Sequence, residues 1–286
     1  MIEPEMRKSL GDNVEIQLAV WNGEGRTVLC VHGLTANCRC WDHMALKLSP
    51  EHRTIAMDLR GRGLSEKPDK GYSVFQHCKD ISKIITDIGE KRVVLMGHSL
   101  GASIVIAFAA LYPEQTEKII VIDGGGKLSD EHMAKIFLGI KPSLNRLGQV
   151  FPSYDRYVAL LKKLQFFQPW SGTLDAYFRY DIQEVESGVC SRIQKEHVVE
   201  EIENLTKFNI EKYYAKVLCP VLILKAGQGI ITDDDRLLPE YAVKKILDYI
   251  PHAKIEDLSG KDHYSIIFQP DVKRDRSILK FLEEQV

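Results

Sequence analysis

The chain has 286 residues, 44% hydrophobic and 27% charged, which is enough apolar material for one large core and excludes a disordered, fibrous or collagen-like chain. Lys and Arg total 38 and Asp and Glu total 40, so a formal charge of −2 leaves no basic footprint for a nucleic acid. The longest apolar runs, such as Ala102 to Leu111, fall far short of the roughly 20 residues that cross a bilayer, and Met1 to Glu5 lacks the basic and then apolar stretch of a leader. The expectation is a globular cytoplasmic protein with no membrane partner. Six scattered cysteines form no Cys-x-x-Cys pair and are expected to be reduced thiols. Cys38 and Cys40 lie near His32, but the second ligand pair of a zinc site is missing, so no metal is expected.

Val14 to Trp21 partly alternates polar and apolar residues and is followed by Asn22-Gly23-Glu24-Gly25, which predicts an antiparallel edge hairpin leading into the next strand. Short β-branched runs follow at Thr27–Val31, Thr54–Asp58, Val93–Met96 and Lys118–Asp123, then at Val221–Leu224 and Lys254–Leu258. Most are apolar throughout rather than alternating, as strands of a parallel sheet covered on both faces should be. Helical spacing appears between them at Val74–Ile88, at Ala102–Tyr112 before Pro113, and at Tyr241–Ile250 before Pro251. The alternation predicts a doubly wound α/β sheet.

It stops between Lys127 and Lys216. There the sequence predicts helices from Ser129 and Asp130 to Gly139, from Tyr154 to Phe166 and from Gln194 to Leu205, with no convincing strand. Residues 127–216 are therefore read as an inserted helical cap on a core made of residues 1–126 and 217–286. The cap carries Phe166, Phe167, Trp170, Tyr177, Phe178 and Tyr180, expected to serve as packing, with a pocket wall as the alternative.

The segment Val93-Val-Leu-Met-Gly97-His98-Ser99-Leu100-Gly101-Ala102 is a strand, a Gly-x-Ser-x-Gly turn and a small-residue helix start. Such a turn lifts a serine hydroxyl above the sheet, and flanking glycines let strand and helix crowd together. A serine needs a base. Of nine histidines, His263 follows the last predicted strand, at the sheet edge where such sites assemble; His98 leaves the turn in another direction and His32 follows a different strand. Two backbone N–H groups would stabilise the oxyanion, that of Leu100 after the nucleophile and that of Leu34 in the loop Val31-His32-Gly33-Leu34-Thr35.

At this point the chain resembles the α/β-hydrolase superfamily over nearly its whole length. The landmarks are His32-Gly33 with Trp41 downstream, Asp58-Leu-Arg60-Gly61-Arg-Gly63-Leu-Ser65, Gly97-His-Ser99-Leu-Gly101, and the late His263. The resemblance implies an α/β-hydrolase fold with a mostly parallel central sheet, helices on both faces and an inserted cap, and it gives Asp58 and Arg60 a loop-pinning role. Most members place the triad acid a few residues beyond a Gly after the penultimate strand, but Gly227 is followed by Gln228-Gly229-Ile230-Ile231. Some branches place it where Asp123 stands, at a strand end before three glycines. Asp123 is preferred; Asp235, in the run Asp233 to Asp235, is the alternative.

The expected activity is cleavage of a carboxylic ester or related acyl bond of a small molecule through an acyl-enzyme, with no cofactor. Amide or carbon–carbon bond hydrolysis would use the same triad, as would perhydrolysis and acyl transfer. Haloalkane dehalogenases and epoxide hydrolases share the layout but use Asp where this chain has Ser99. A hydrolase-like ligand receptor is the reading from another class.

Overall fold

A computed structural model describes residues 3–285; Met1 and Ile2, from the stretch read above for a leader, and Val286 lie outside the described residues. Eleven strands occur in chain order: β1 (Glu5–Leu10), β2 (Glu15–Trp21), β3 (Thr27–Val31), β4 (Arg53–Met57), β5 (Val93–His98), β6 (Thr116–Ile122), β7 (Val150–Phe151), β8 (Ile182–Val185), β9 (Gly188–Ser191), β10 (Val221–Ala226) and β11 (Lys254–Leu258). Eight of them form one sheet in the order β1-β2-β4-β3-β5-β6-β10-β11. Strand β2 runs antiparallel to β1 and β4, and the remaining pairings are parallel.

The period of two along each strand explains why the central runs are apolar throughout. Leu29 and Val31 of β3, Val93 and Leu95 of β5, and Ile119 and Val121 of β6 enter one cluster with helices Val74–Asp87, Leu100–Leu111 and Glu240–Tyr249. Their neighbours Val28, Cys30, Val94, Met96, Ile120 and Ile122 enter a second cluster on the opposite face, with helices Asp42–Leu48 and Val272–Glu283. Both faces are covered, so alternation would bury polar groups. Lys118 of β6 is an exception, and its buried ammonium donates to the carbonyls of Phe281 and Glu284 at 2.6 Å each, satisfying the last turn of the C-terminal helix.

The edge departs from the expected hairpin. β2 pairs with β1 and β4, not with β3, and β1 was not foreseen because Glu5-Met-Arg-Lys-Ser-Leu10 is almost wholly exposed. The Asn22–Gly25 loop crosses the start of β4 instead of reversing: Gly25 N–H donates to the Glu51 carbonyl at 2.8 Å, and a Cβ on Gly23 would sit 2.3 Å from the His52 carbonyl carbon.

Residues between β6 and β10 are mostly helical, with helices at Asp130–Asn145, Gly172–Asp181 and Lys195–Lys207. They also hold a small antiparallel sheet, β7-β9-β8, where no strand was expected. Its strands are two to four residues long and β8 is largely exposed, so neither a run nor an alternation marks them. The single helix expected over Tyr154–Phe166 is a short helix, Tyr154–Val158, and two 3-10 turns; Leu164 turns extended, and Phe166 and Phe167 are both buried. Among the described residues no helix is long and apolar enough to cross a membrane.

Candidate active site

Strand β5 ends at His98, and Ser99 is the single residue between it and helix Leu100–Leu111. Ser99 has φ +58° and ψ −118°. Such a conformation costs a non-glycine residue about 1–3 kcal/mol and persists only where packing enforces it. A Cβ on Gly97 would meet the Gly101 carbonyl oxygen at 2.2 Å, and one on Gly101 would meet the Val31 oxygen at 2.0 Å. Hydrogen alone fits at both positions, which is why the Ser is bracketed by glycine. The N–H of Leu100 opens the helix and has no partner within it, and the helix dipole places positive charge at the same point.

Asp123 follows β6 with φ +41°. Its N–H donates to the Leu224 carbonyl at 2.9 Å and its Oδ1 accepts from Ala226 N–H at 3.2 Å, so the residue is clamped to β10. Its Oδ2 accepts from His263 Nδ1–H at 2.8 Å, with both side chains buried. A carboxylate only accepts, so the proton lies on Nδ1 and Nε2 carries the free lone pair. A Cβ on Gly124 would lie 2.5 Å from the Ser99 carbonyl oxygen, so the glycine after the acid lets the two turns touch.

Asp235 is engaged elsewhere. Its carboxylate accepts from the N–H groups of Ile230 at 2.7 Å, Ile231 at 3.0 Å and Thr232 at 3.3 Å, and it closes a capping box with Thr232. The Asp233–Asp235 run is itself a 3-10 turn, and the next helix begins only at Glu240.

Two further histidines hold the site. His98 Nε2–H donates to the His263 carbonyl at 3.0 Å and its ring stacks on that of His263 at 4.5 Å. Burial, and then the adjacent His263, push the His98 pKa well below the usual histidine range, so it is a neutral donor. His32 Nε2 accepts from Leu59 N–H at 3.0 Å and Nδ1–H donates to the Gly33 carbonyl at 2.7 Å. Burial lowers its pKa to about 4, against the pull of Asp58. The loop bearing Leu34 is thereby held from inside.

Arg62 holds it from the other side. Its Nε donates to the Leu34 carbonyl at 2.9 Å and Nη2 to Glu201 Oε2 at 3.4 Å, while Glu201 also accepts from His77 Nε2 at 2.7 Å. Burial opposes the Glu201 charge, but His77 and Arg62 hold its pKa below the usual carboxylate range. Asp58 and Arg60 pin loops, as expected: Asp58 accepts from Cys38 N–H, Leu64 N–H and Tyr180 OH, and Arg60 makes a two-pronged contact with Asp80 at 2.7 Å.

Two cavities flank Ser99, and Leu34 and Ile140 also line both. The smaller, about 60 Å³, contains His263, His98, Arg146 and Ser143 among Phe167, Tyr177, Phe178 and Phe268. Of the cap aromatics, therefore, some line a pocket and others pack behind it: Phe166 stacks on Tyr264 at 4.3 Å and Trp170 on Phe178 at 5.3 Å. The Arg146 guanidinium is taken up by Tyr157, Asp181 Oδ2 at 3.2 Å, the Ser143 carbonyl and the Thr35 carbonyl at 2.9 Å. The larger cavity, about 170 Å³, is lined by Leu100, Gly124 and aliphatic and aromatic side chains of helices Asp130–Asn145 and Lys195–Lys207. Cys38 and Cys40 are buried core thiols, and among the described residues no cluster of three His, Cys, Asp or Glu is arranged to hold a metal ion.

Sequence reading missed Arg62, Arg146 and the part played by His98. Arg62 had a signal, lying two residues beyond Arg60 in the same loop; Arg146, past the end of its helix, had none.

A family model described as alpha/beta hydrolase fold matches residues 26–270. The chain belongs to the alpha/beta-hydrolase family. It is 25% identical over 271 residues to a 2-(acetamidomethylene)succinate hydrolase of Mesorhizobium japonicum, covering 91% of this chain and 89% of that one. The crystal structure of E-2-(acetamidomethylene)succinate hydrolase superposes with a TM-score of 0.87 at 23% identity, over 98% of this chain and 100% of the other. A thioesterase domain from the curacin biosynthetic pathway superposes at 0.75 with 17% identity, over 98% and 99%. The α/β-hydrolase fold expected from the four landmarks is thus borne out, and this hydrolase family is the setting for the site.

Proposed function

We propose that this α/β-hydrolase is a serine hydrolase that cleaves a carboxylic ester or related acyl bond of a small molecule, with Ser99 as nucleophile, His263 as general base and Asp123 as the acid that orients it. The observation that carries the reading is the 2.8 Å bond from His263 Nδ1 to Asp123, which leaves Nε2 free on the cavity that Ser99 lines. Ser99 Oγ attacks the acyl carbon as its proton passes to His263 Nε2, and Asp123 stabilises the imidazolium. The carbonyl oxygen becomes an oxyanion received by the N–H groups of Leu34 and Leu100. His263 then protonates the leaving group, and water, activated by the same base, releases the acid.

Residues 127–216 serve as the cap that selects the substrate. The main support is that they supply most of the wall of the larger cavity beside Ser99 and add Ile140, Ser143, Arg146, Phe167, Tyr177 and Phe178 to the smaller. Amide cleavage is the second reading, favoured by the name of the Mesorhizobium relative, which acts on an acetamido compound. It needs the same residues, and the ratio of amide to ester turnover separates the two.

The test is mass spectrometry of the intact protein during turnover of an activated ester. An acyl adduct mapping to Ser99, and missing from Ser99→Ala, is expected. Turnover with no adduct on Ser99 would overturn the proposal.

A further inference from the structure

The two cavities are not equivalent with respect to the catalytic groups. His263 lines only the smaller cavity and Leu100 only the larger, whereas Ser99 and Leu34 line both. In the tetrahedral intermediate the acyl carbon carries four substituents: Ser99 Oγ, the oxyanion, the leaving group and the acyl chain. The oxyanion points to Leu34 and Leu100. The leaving group must stand against His263 Nε2, because the proton taken from Ser99 is delivered to it as the bond to the acyl carbon breaks. That direction is the small cavity, and the acyl chain takes the one that remains.

From this we infer that the larger cavity is the acyl-chain site, and that the preferred substrate joins an extended apolar acyl group to a compact leaving group. The inference rests on the proposed serine mechanism. The walls fit the assignment. Met133, Ile136 and Phe137 from one helix face Ile202, Leu205 and Phe208 from and just beyond another. Asp130 and Thr206, both exposed, stand where the cavity reaches the surface, so a chain longer than the cavity can leave between the two helices. The small cavity is closed in by Phe167, Tyr177, Phe178 and Phe268, and the guanidinium of Arg146 is already paired with Asp181. A bulky leaving group has no room there, and a second carboxylate on the leaving group would meet a cation whose charge is already balanced.

The test compares two ester series and one set of inhibitors. Methyl esters of butanoic, hexanoic and octanoic acid lengthen the acyl side, and acetate esters of butanol, hexanol and octanol lengthen the leaving group. kcat/KM should rise roughly fourfold per methylene along the first series, the worth of one buried CH₂, and stay level or fall along the second. The n-alkylboronic acids, which add to a serine without needing turnover, should bind roughly fourfold tighter per methylene to the wild type, and lose that binding in Ser99→Ala. Met133→Trp, which narrows the larger cavity, should lower the octanoate-to-butanoate ratio at least tenfold. A rise along the alcohol series instead, or boronic acid affinities independent of chain length that still require Ser99, would overturn the cavity assignment and leave the serine mechanism standing. Binding and turnover that persist in Ser99→Ala would remove both.

Discussion

Around β3, β5, β6 and β10 the buried side chains are nearly all aliphatic, whereas residues 127–216 bury Arg146, Asp181 and Glu201 among stacked aromatic rings. The first region gains its stability from apolar area taken out of water, which tolerates small shifts and carries no orientation. The second depends on hydrogen-bonded ion pairs, whose loss on one side strands a charge in the interior. Both reach the loops around Ser99. His32 ties the Leu34 loop to the sheet, and Arg62, through Glu201, ties the same loop to the helix Lys195–Lys207. The lesson is that the sheet supplies the position of Ser99 and Asp123, while residues 127–216 supply most of the wall of the larger cavity beside them and are anchored by charge.

Substitutions can separate the two regions. Phe108→Ala, in the apolar core, should cost about 3–5 kcal/mol in urea unfolding and lower amide-exchange protection throughout the sheet. Asp181→Ala should cost a similar amount, about 3–5 kcal/mol, by leaving Arg146 unpaired, but should first release protection in residues 127–216. If both variants lose protection in the same places, the insert is not a separate unit.

Acid sharpens the contrast. His32 is held neutral, with its pKa lowered from 6.5 to about 4. Below pH 6.5 the unfolded chain takes up a proton that the folded one refuses, so this group's contribution to stability is constant above that pH and falls as pH drops toward 4. The gap is worth about 3 kcal/mol at about 1.36 kcal/mol per pH unit. His98, lowered by burial and by His263, adds in the same direction. Urea midpoints that do not change between pH 7 and pH 4.5 would contradict this. A smaller effect, about 1 kcal/mol, is expected from Ser153→Ala, whose hydroxyl caps the helix at Tyr154 by accepting from Arg156 N–H. The smallest, within about 0.5 kcal/mol, should come from breaking the exposed Arg179–Asp175 pair with Arg179→Gln, read from the thermal midpoint.

The same division explains what could be read from the residues. Thr27–Val31 emerges with the bounds expected of it, because a strand buried on both faces has to be an unbroken apolar run, and the exposed edge strand Lys254–Leu258 also keeps its expected bounds. Ser99 was legible because its backbone conformation forces glycine on both sides, and a forced residue leaves a mark. His263 and Asp123 could be named because Asp123 directly follows a strand and His263 lies in the loop after the last one, although their contact spans 140 positions and shows only in three dimensions. The β8–β9 hairpin was hidden because half-exposed strands of four residues need no pattern. Arg146 and Glu201 were hidden because their burial depends on partners at Asp181 and His77, distant in the chain.

The most direct test of the central claim is the hydrolysis rate of one activated short-chain ester by the wild type, Ser99→Ala, Asp123→Asn and Asp235→Asn. The account predicts a fall on the order of 10⁴-fold or more for Ser99→Ala and about 10⁴-fold for Asp123→Asn, with Asp235→Asn staying within a few-fold of wild type. Unchanged turnover in Ser99→Ala, or loss at Asp235 with activity kept at Asp123, would contradict it.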